Sequence, residues 1–531
     1  MTEPPVTPVN LLAVGCAAPA LRLPAAEVAA VWGGPARGSV AVCDADEDSL
    51  TLAWQAAVDA LGAAGTDASA IDGLWWGTSR PPFADGPSHA FLATALGIGR
   101  ESGGVLVSGS PHAGMEAVGA AWDALAAGHA RVALVVVSDA QVPGVGTAGE
   151  AGTGAGAVAV VLARDELAGG PGDDLPAARL VCRATRTVPV VDRYRGDGRL
   201  ATGDVYDQRL FRDEVFLPLL AEAAEAAAGA APASGGEAAS GGRAAPDGGG
   251  RPARWAVGDP DGKLAGALAR RLGATSADPV RAVLGDTGAA APWMAALPLL
   301  ATPDDSPLGV VGYGGGRATA VHVVVHRPVP GATGALARLG RLGTAAGTPD
   351  GTLAPARTIT YVEAVKVRGQ LQPMTEPIPM GVPPGGAAFV RGNVEMLALL
   401  GAQCAACGTI STPPSVHPAC TGCGGADLHT VRLARSGTVQ TFVVNQTMPP
   451  PFQAPLPLVV VDLDDGARLM VQGAPVDADT LAVGDRVELL LRRYALERDV
   501  PVYGYKAFRV SVPQVGSGTP GSVPAVQEVG R

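Results

Sequence analysis

Across 531 residues the chain has no run of roughly 18 uninterrupted apolar residues, so no membrane-spanning helix is expected. Met1–Pro8 lacks a basic segment followed by an apolar core, and no signal peptide is expected either. Basic charge is in short supply: 39 Lys and Arg stand against 50 Asp and Glu, a formal charge of -11. That balance argues against a general nucleic-acid binder, although a local basic patch could still serve a polyanionic ligand. Charged residues make up only 17% of the chain against 47% hydrophobic, the mark of a folded protein rather than a disordered one. The length exceeds what one core supports, so two or three domains are expected. Gly (73) and Pro (46), by contrast, are abundant.

Cysteine is also sparse, seven in all, and its use points to a reducing cytoplasm. Four of the seven form a pattern. Cys404 and Cys407 stand in C-A-A-C-G, and after twelve residues Cys420 and Cys423 stand in C-T-G-C-G. Two C-x-x-C knuckles bring four thiolates to the corners of one tetrahedron, which suits Zn²⁺. The glycine after each knuckle allows its tight turn. With four protein ligands there is no vacancy for substrate, so this zinc should be structural. Reduced, unligated thiols or disulfides are the competing reading, and such paired spacing seldom arises from them.

The first third alternates strands and helices. Val6–Gly15 is a strand candidate, and Asp46–Ala64 a helix with acidic residues at its start. Ile71–Gly77 is a buried strand, Gly114–Ala127 a helix closed by Gly128, and Val132–Val137 a strand apolar on both faces. Glu150–Leu162 is a glycine-rich loop running into another strand. A weaker echo follows in Trp255–Val257, Lys263–Leu272, and a glycine loop at Gly309–Gly316 before the strand Ala318–Val325. Two similar halves, 1–165 and 178–328, are therefore expected. Residues 226–252 are nearly all Ala, Gly, Ser and Pro and read as a flexible insertion. Pro328–Pro384 (329–385 as a domain division) reads as a connector, and Gly386–Ala402 as a helix leading into the knuckles at 386–430. Five strand-like segments from Ser436 onward suit a small barrel over 431–513, and 514–531 reads as a disordered tail.

The segments D-E-D-S-L-T-L-A, W-W-G-T, A-A-G-H-A-R-V-A-L-V-V-V-S-D, G-T-G-A-G-A-V-A, V-G-D-P-D-G-K-L and V-G-Y-G-G-G occur in this order. Together they resemble the thiolase superfamily, most of all 3-hydroxy-3-methylglutaryl-CoA (HMG-CoA) synthase, over roughly residues 5–328. Residues 386–513 are similar to the acyl-CoA-associated zinc-ribbon/OB-fold proteins that accompany thiolases. S-G-T-V, L-V-V-V-D-L-D-D-G and V-G-D-R-V-E carry the barrel part of that likeness. The resemblance implies an α/β fold: a duplicated five-layer αβαβα thiolase-like domain, then a zinc ribbon and a small OB-fold β-barrel.

It also implies a mechanism in which a Cys thiolate takes the acyl group, a Glu serves as acid and base, and a His orients the second thioester. At each matching position this sequence departs. The nucleophile's place, at the start of a helix, falls on Pro111, or on His112 with a one-residue slip. The Glu falls on Ser79, the His on Gly258 with Pro260 and Lys263 retained, and the Asn of a G-N turn on Asp286. No cysteine lies between Cys43 and Cys182. Cys16, Cys43 and Cys182 read as small packed residues.

His112 and Ser110 are the catalytic candidates that remain, as a general base or an acyl-transfer pair. The competing reading makes Ser110 an N-cap, Pro111 the first helical residue and His112 a first-turn residue without chemistry. A helix dipole there would keep His112 neutral. For coenzyme A, Lys263 could reach a phosphate and Tyr313 could donate to an acyl carbonyl. Tyr194, Arg195, Tyr206 and Arg209 could line the tunnel or a dimer edge, while Trp75, Trp76 and Trp293 read as core and His322, His326 and His417 take no role. The expected protein handles acyl-CoA without the Cys/Glu/His set. It would form a homodimer, or a hetero-oligomer with a Cys-bearing thiolase-family subunit. The alternative is a Cys-independent acyltransferase or retro-aldolase on a β-hydroxyacyl-CoA; a nucleic-acid role for the barrel is not expected.

Overall fold

The computed structural model describes residues 8–164, 176–196, 199–203, 207–230, 251–276, 278–302, 307–341, 356–371, 393–447, 454–497 and 500–510. The tail at 514–531 and most of the insertion expected at 226–252 lie outside these residues; Ala226–Ala230 are the end of a helix.

The first half contains β1 (Val9–Ala17), β2 (Leu21–Pro24), α1 (Ala25–Trp32), β3 (Ser39–Val42), α2 (Ser49–Ala64), β4 (Gly73–Gly77), α3 (Ser88–Leu96), β5 (Gly103–Val107), α4 (Ala113–Ala126), β6 (Val132–Ala140) and β7 (Ala155–Arg164). The second contains β8 (Ala178–Thr187), α5 (Gln208–Phe211), α6 (Leu217–Ala230), β9 (Arg254–Val257), α7 (Leu264–Leu272), α8 (Pro279–Leu284), α9 (Ala291–Ala301), β10 (Leu308–Gly314) and β11 (Arg317–Val325).

Duplication is visible in the strand order. One nine-stranded sheet runs β5-β4-β6-β7-β1-β8-β11-β10-β9. Outward from the β1–β8 join, the first half reads antiparallel, antiparallel, parallel, parallel. The second half reads antiparallel, antiparallel, parallel, and stops one strand earlier. Five layers follow from which helix faces which strands. Met115 and Trp122 of α4 share a core with Trp293 and Leu297 of α9 and with strand residues from both halves, making the middle layer. Helices α2 and α3 cover the outside of the first half, and α6 and α7 the outside of the second.

Three sequence expectations are corrected here. Gly309–Gly314 is strand rather than glycine loop; only Gly315 and Gly316, with φ of 57° and 75°, make the turn. Glycine content misled because each of these glycines allows a close approach, not a bend: at Gly312 a side chain would strike Pro292 and Met115. Much of the described part of 328–384 is regular structure. Helix α10 (Ala332–Arg341) contributes Ala332, Ala335 and Leu339 to the middle core, β12 (Arg357–Thr358) pairs with β2, and α11 (Tyr361–Val367) begins in a capping box between Thr360 and Glu363. The described part of 386–402 is helical only over Asn393–Leu397; Leu400–Cys404 is a strand, β13, because it pairs with the ribbon strands β14 (Ile410–Ser411) and β15 (Leu428–Arg432).

The five barrel segments form β16 (Ser436–Asn445), β17 (Leu456–Leu463), β18 (Arg468–Gly473), β19 (Arg486–Glu497) and β20 (Val500–Arg509), closed in the order β16-β17-β18-β20-β19. The barrel sits on the first half of the thiolase-like unit. Val459, Leu489, Tyr503 and Tyr505 share one core with Leu50, Trp54, Leu92 and Leu96 of α2 and α3. The acidic lead into α2 does more than favour the helix dipole. Asp48 caps α2 through Oδ1 while its Oδ2 accepts from the Tyr503 hydroxyl at 2.7 Å. Lys506 reaches Asp46 at 2.6 Å and Arg492 reaches Glu47 at 3.3 Å. From the ribbon, Arg432 donates to the carbonyl of Thr94 at 2.9 Å, in the last turn of α3, where the negative end of the helix favours a cation.

Candidate functional site

The start of α4 is held between two strands. Gly77 of β4 and Gly314 of β10 press on Ala113 and on the His112 backbone so closely that a side chain at either would collide. The helix begins at Ala113, with His112 at the N-cap, two residues later than a Ser110 cap would give. Ser110 Oγ still accepts from the His112 N–H at 3.2 Å and its carbonyl from the Ala113 N–H at 3.0 Å. The His112 ring is 1% exposed, and its Nε2 lies 2.8 Å from Thr319 Oγ1, which lies 2.8 Å from Thr185 Oγ1. The imidazole thus bonds to Thr319, not to Ser110. Glu116 Oε1 stands 3.7 Å from Nδ1 and is itself paired with Arg317. Burial, and then Arg317, push the His112 pKa down to about 3. The ring is neutral as expected, but desolvation and a neighbouring cation are the causes.

This carries a pH consequence. Between pH ~6.5 and ~3 the unfolded chain protonates His112 while the folded chain does not, so stability falls as pH drops through that window. His112→Gln should flatten the fall of melting temperature between pH 6.5 and 4.5. An unchanged slope would reject this account.

A second polar group lies at the ends of β4 and β6. Asp139 is fully buried, and burial raises its pKa despite the bonds that oppose the shift. It accepts from Ser79 Oγ (2.7 and 2.8 Å), the Ser79 N–H (3.0 Å), Thr78 Oγ1 (3.2 Å), Gln141 Nε2 (3.2 Å) and the Ala289 N–H (2.8 Å). Gly288, at φ 58°, passes so close to this carboxylate that only glycine fits. One residue pair away, Asp286 Oδ1 accepts from the Gly288 N–H at 3.0 Å and Oδ2 from Arg193 Nη1 at 3.0 Å. Gln141 and Arg193 stand on the wall of an open cleft, with Thr153, Gln208, Phe216 and Asp261 among its other lining residues. Sequence reading passed over Asp139, Gln141 and Arg193. A charged residue closing the all-apolar run V-A-L-V-V-V-S was the signal for Asp139; nothing local marked Arg193.

The remaining candidates fall as follows. Gly258 packs against Pro292 beside Gly312. Lys263 is exposed at the start of α7, and its N–H donates to Asp261 Oδ1 at 2.9 Å. Tyr313 lies on β10 rather than in a loop; its ring stands 4.5 Å from that of Phe216 and its hydroxyl accepts from the Gly316 N–H at 3.3 Å. Burial, with Asp192 adding to it, raises the Tyr313 phenol. Tyr194 and Arg209 are exposed, and Tyr206 lies outside the described residues. Outside the ribbon Cys16 and Cys182 are buried and Cys43 is half-buried. Burial pushes Cys16 up to about 12, Cys182 up to about 11 and Cys43 well above its ordinary value.

In the ribbon, the sulfurs of Cys404, Cys407, Cys420 and Cys423 all lie within 4.8 Å of one another, with 3.6 Å between Cys404 and Cys423 and 3.5 Å between Cys407 and Cys420. A sulfur tetrahedron about an ion at ~2.3 Å has edges of about 3.8 Å, so the set fits a metal. Gly408 and Gly424, at φ 74° and 76°, make the two turns.

Comparison with known proteins divides along the same line. A family model described as the C-terminal OB-fold domain of ChsH2 matches residues 430–492. A DUF35 domain-containing scaffold protein of Methanocaldococcus jannaschii is 31% identical over 117 residues, covering 21% of this chain and 82% of that protein. A hydroxymethylglutaryl-CoA synthase of Aeropyrum pernix is 32% identical over 155 residues, 28% of this chain and 43% of the synthase. The chain spans less than half the length of the curated synthases it matches. Among solved structures, MvaS in complex with 3-hydroxy-3-methylglutaryl coenzyme A superposes with a TM-score of 0.55 at 20% identity, over 71% of this chain and 95% of that one. This likeness gives the thiolase-like fold. Among the described residues no helix is long and apolar enough to cross a membrane.

Proposed function

Since the chain belongs to the DUF35 family and joins that family's four-cysteine ribbon and OB barrel to an HMG-CoA-synthase-like domain, we propose that it handles acyl-CoA without thiol chemistry. It works beside a Cys-bearing thiolase-family subunit. One observation carries this reading. At the head of α4, where the resemblance expects a nucleophilic cysteine, stand Pro111 and His112, neither bearing a thiol, and His112 is buried and bonded to Thr319. The three thiols outside the ribbon support it, since burial holds each in the protonated, unreactive form. We further assign Zn²⁺ to the Cys404/Cys407/Cys420/Cys423 set and a structural role to it, because four protein sulfurs complete its coordination.

The purified chain alone, given a panel of acyl-CoAs, should bind them, release no free CoA and show no acyl adduct by intact mass. Co-expressed with a Cys-bearing thiolase subunit, it should copurify as a stoichiometric complex. An acyl adduct on Cys16, Cys43 or Cys182 would reject the reading. Steady turnover by the lone chain that dies with His112→Ala or Ser110→Ala would instead establish the Cys-independent acyltransferase or retro-aldolase.

A further inference from the structure

Resting on the acyl-CoA reading above, we propose that the cleft accepts the acyl group of a neutral, hydroxyl-bearing thioester and turns away acyl groups that end in a free carboxylate. Two charged side chains, Arg193 and Asp261, are among the residues lining the cleft, and each already faces its opposite. Arg193 Nη1 donates to Asp286 Oδ2 at 3.0 Å, and Arg212 Nη1 donates to Asp261 Oδ2 at 3.1 Å while its Nε holds Asp213 Oδ1 at 2.9 Å, so this cation is shared between two carboxylates. Neither pair is waiting for a ligand. Asp286 is 3% exposed and fixed by the Gly288 N–H, while Asp261 also accepts the N–H groups of Lys263 and Leu264 at 2.9 and 3.0 Å.

Beyond these pairs, the described lining residues offer amide and hydroxyl, from Gln141 and Thr153, beside the apolar ring of Phe216. Such groups exchange hydrogen bonds with a hydroxyl or a carbonyl. They do not neutralise a carboxylate, which leaves water only at high cost unless a cation meets it. A solved structure of the same fold carries 3-hydroxy-3-methylglutaryl coenzyme A, whose acyl group ends in a carboxylate. In this chain Arg193 is already paired with the Asp286 carboxylate. The family pattern has Asn where this chain has Asp286, so the single change Asp286→Asn keeps the shape and Oδ1, the acceptor for Gly288, and removes the neutralising charge.

The test is calorimetric titration of the full chain with three probes: coenzyme A, 3-hydroxy-3-methylbutyryl-CoA and 3-hydroxy-3-methylglutaryl-CoA. The last two differ only by the carboxylate. The neutral thioester should bind about tenfold or more tighter than the carboxylated one. Asp286→Asn should shift that ratio about tenfold toward the carboxylated probe, and Arg193→Gln, which leaves Asp286 uncompensated, should widen it. Equal affinities in the unaltered protein, or a ratio that Asp286→Asn leaves unmoved while its melting temperature is unchanged, would overturn the proposal. Binding of all three probes without discrimination rejects this inference alone; binding of none rejects the acyl-CoA reading with it.

Discussion

Stripping metal from the four-cysteine ribbon, by a strong chelator or by Cys404→Ser, should unfold residues 400–432 and loosen the barrel from the thiolase-like unit. In the proposed zinc site the metal bond is the ribbon's main support. Its strands are short, β14 having two residues, and Cys407 and Cys423 are exposed, so little apolar burial holds the knuckles together. Structural zinc binds such sites with about 10–16 kcal/mol of apparent free energy, which becomes folding free energy when no site exists beforehand. The loss should not stay local. Leu397, Leu399 and Leu433 lie in the core shared by α2, α3 and the barrel, and Arg432 holds the end of α3. Elemental analysis should give one zinc per chain, and hydrogen exchange of the stripped protein should lose protection first in 400–432, then in 88–97. Full protection of both segments in metal-free protein would show that the ribbon stands without an ion.

Trp54→Ala should be the most damaging single substitution between the two units, costing about 3–5 kcal/mol, the usual range for emptying a large buried aromatic site. Trp54 is 1% exposed on α2, its Nε1 donates to the Ala95 carbonyl at 3.4 Å, its ring meets Tyr505 edge-on at 5.8 Å, and the Arg435 guanidinium stands 5.1 Å above it. One side chain therefore joins α2, α3, the ribbon–barrel junction and β20. The polar contacts around it, Arg492 with Glu47 and Lys506 with Asp46, cannot hold the seam alone, because burying those charges offsets most of their attraction. In the variant, denaturation should separate into two transitions, barrel first. A single transition with a midpoint near that of the unaltered protein would reject this role.

How far the chain could be read beforehand depended on range. Periodicity found α2, α4, α7, β6 and the five barrel strands to within a few residues, because each buries a regular stripe or alternation written in contiguous sequence. The connector misled for the converse reason. Ala332–Arg341 and Tyr361–Val367 are short helices stabilised by contacts with distant strands, with Gly and Pro on either side. In the candidate site, the departures expected at 79, at 111 or 112, at 258 and at 286 rest on the order of motifs. The pairing of His112 with Thr319, or of Arg193 with Asp286, joins residues 207 and 93 positions apart. No local pattern carries that information.

By itself the sequence determined the four-cysteine pattern, the duplicated α/β unit, the barrel and the lack of any cysteine between Cys43 and Cys182, since each is a matter of residue type and spacing along the chain. The tertiary structure alone decided that the acidic lead into α2 serves as the barrel's seat, that His112 is buried and spent on a hydroxyl, and that the cleft's Arg193 and Asp261 are already paired with Asp286 and Arg212. Those are properties of which surfaces meet, and Coulomb attraction and desolvation depend on distance through space rather than along the backbone.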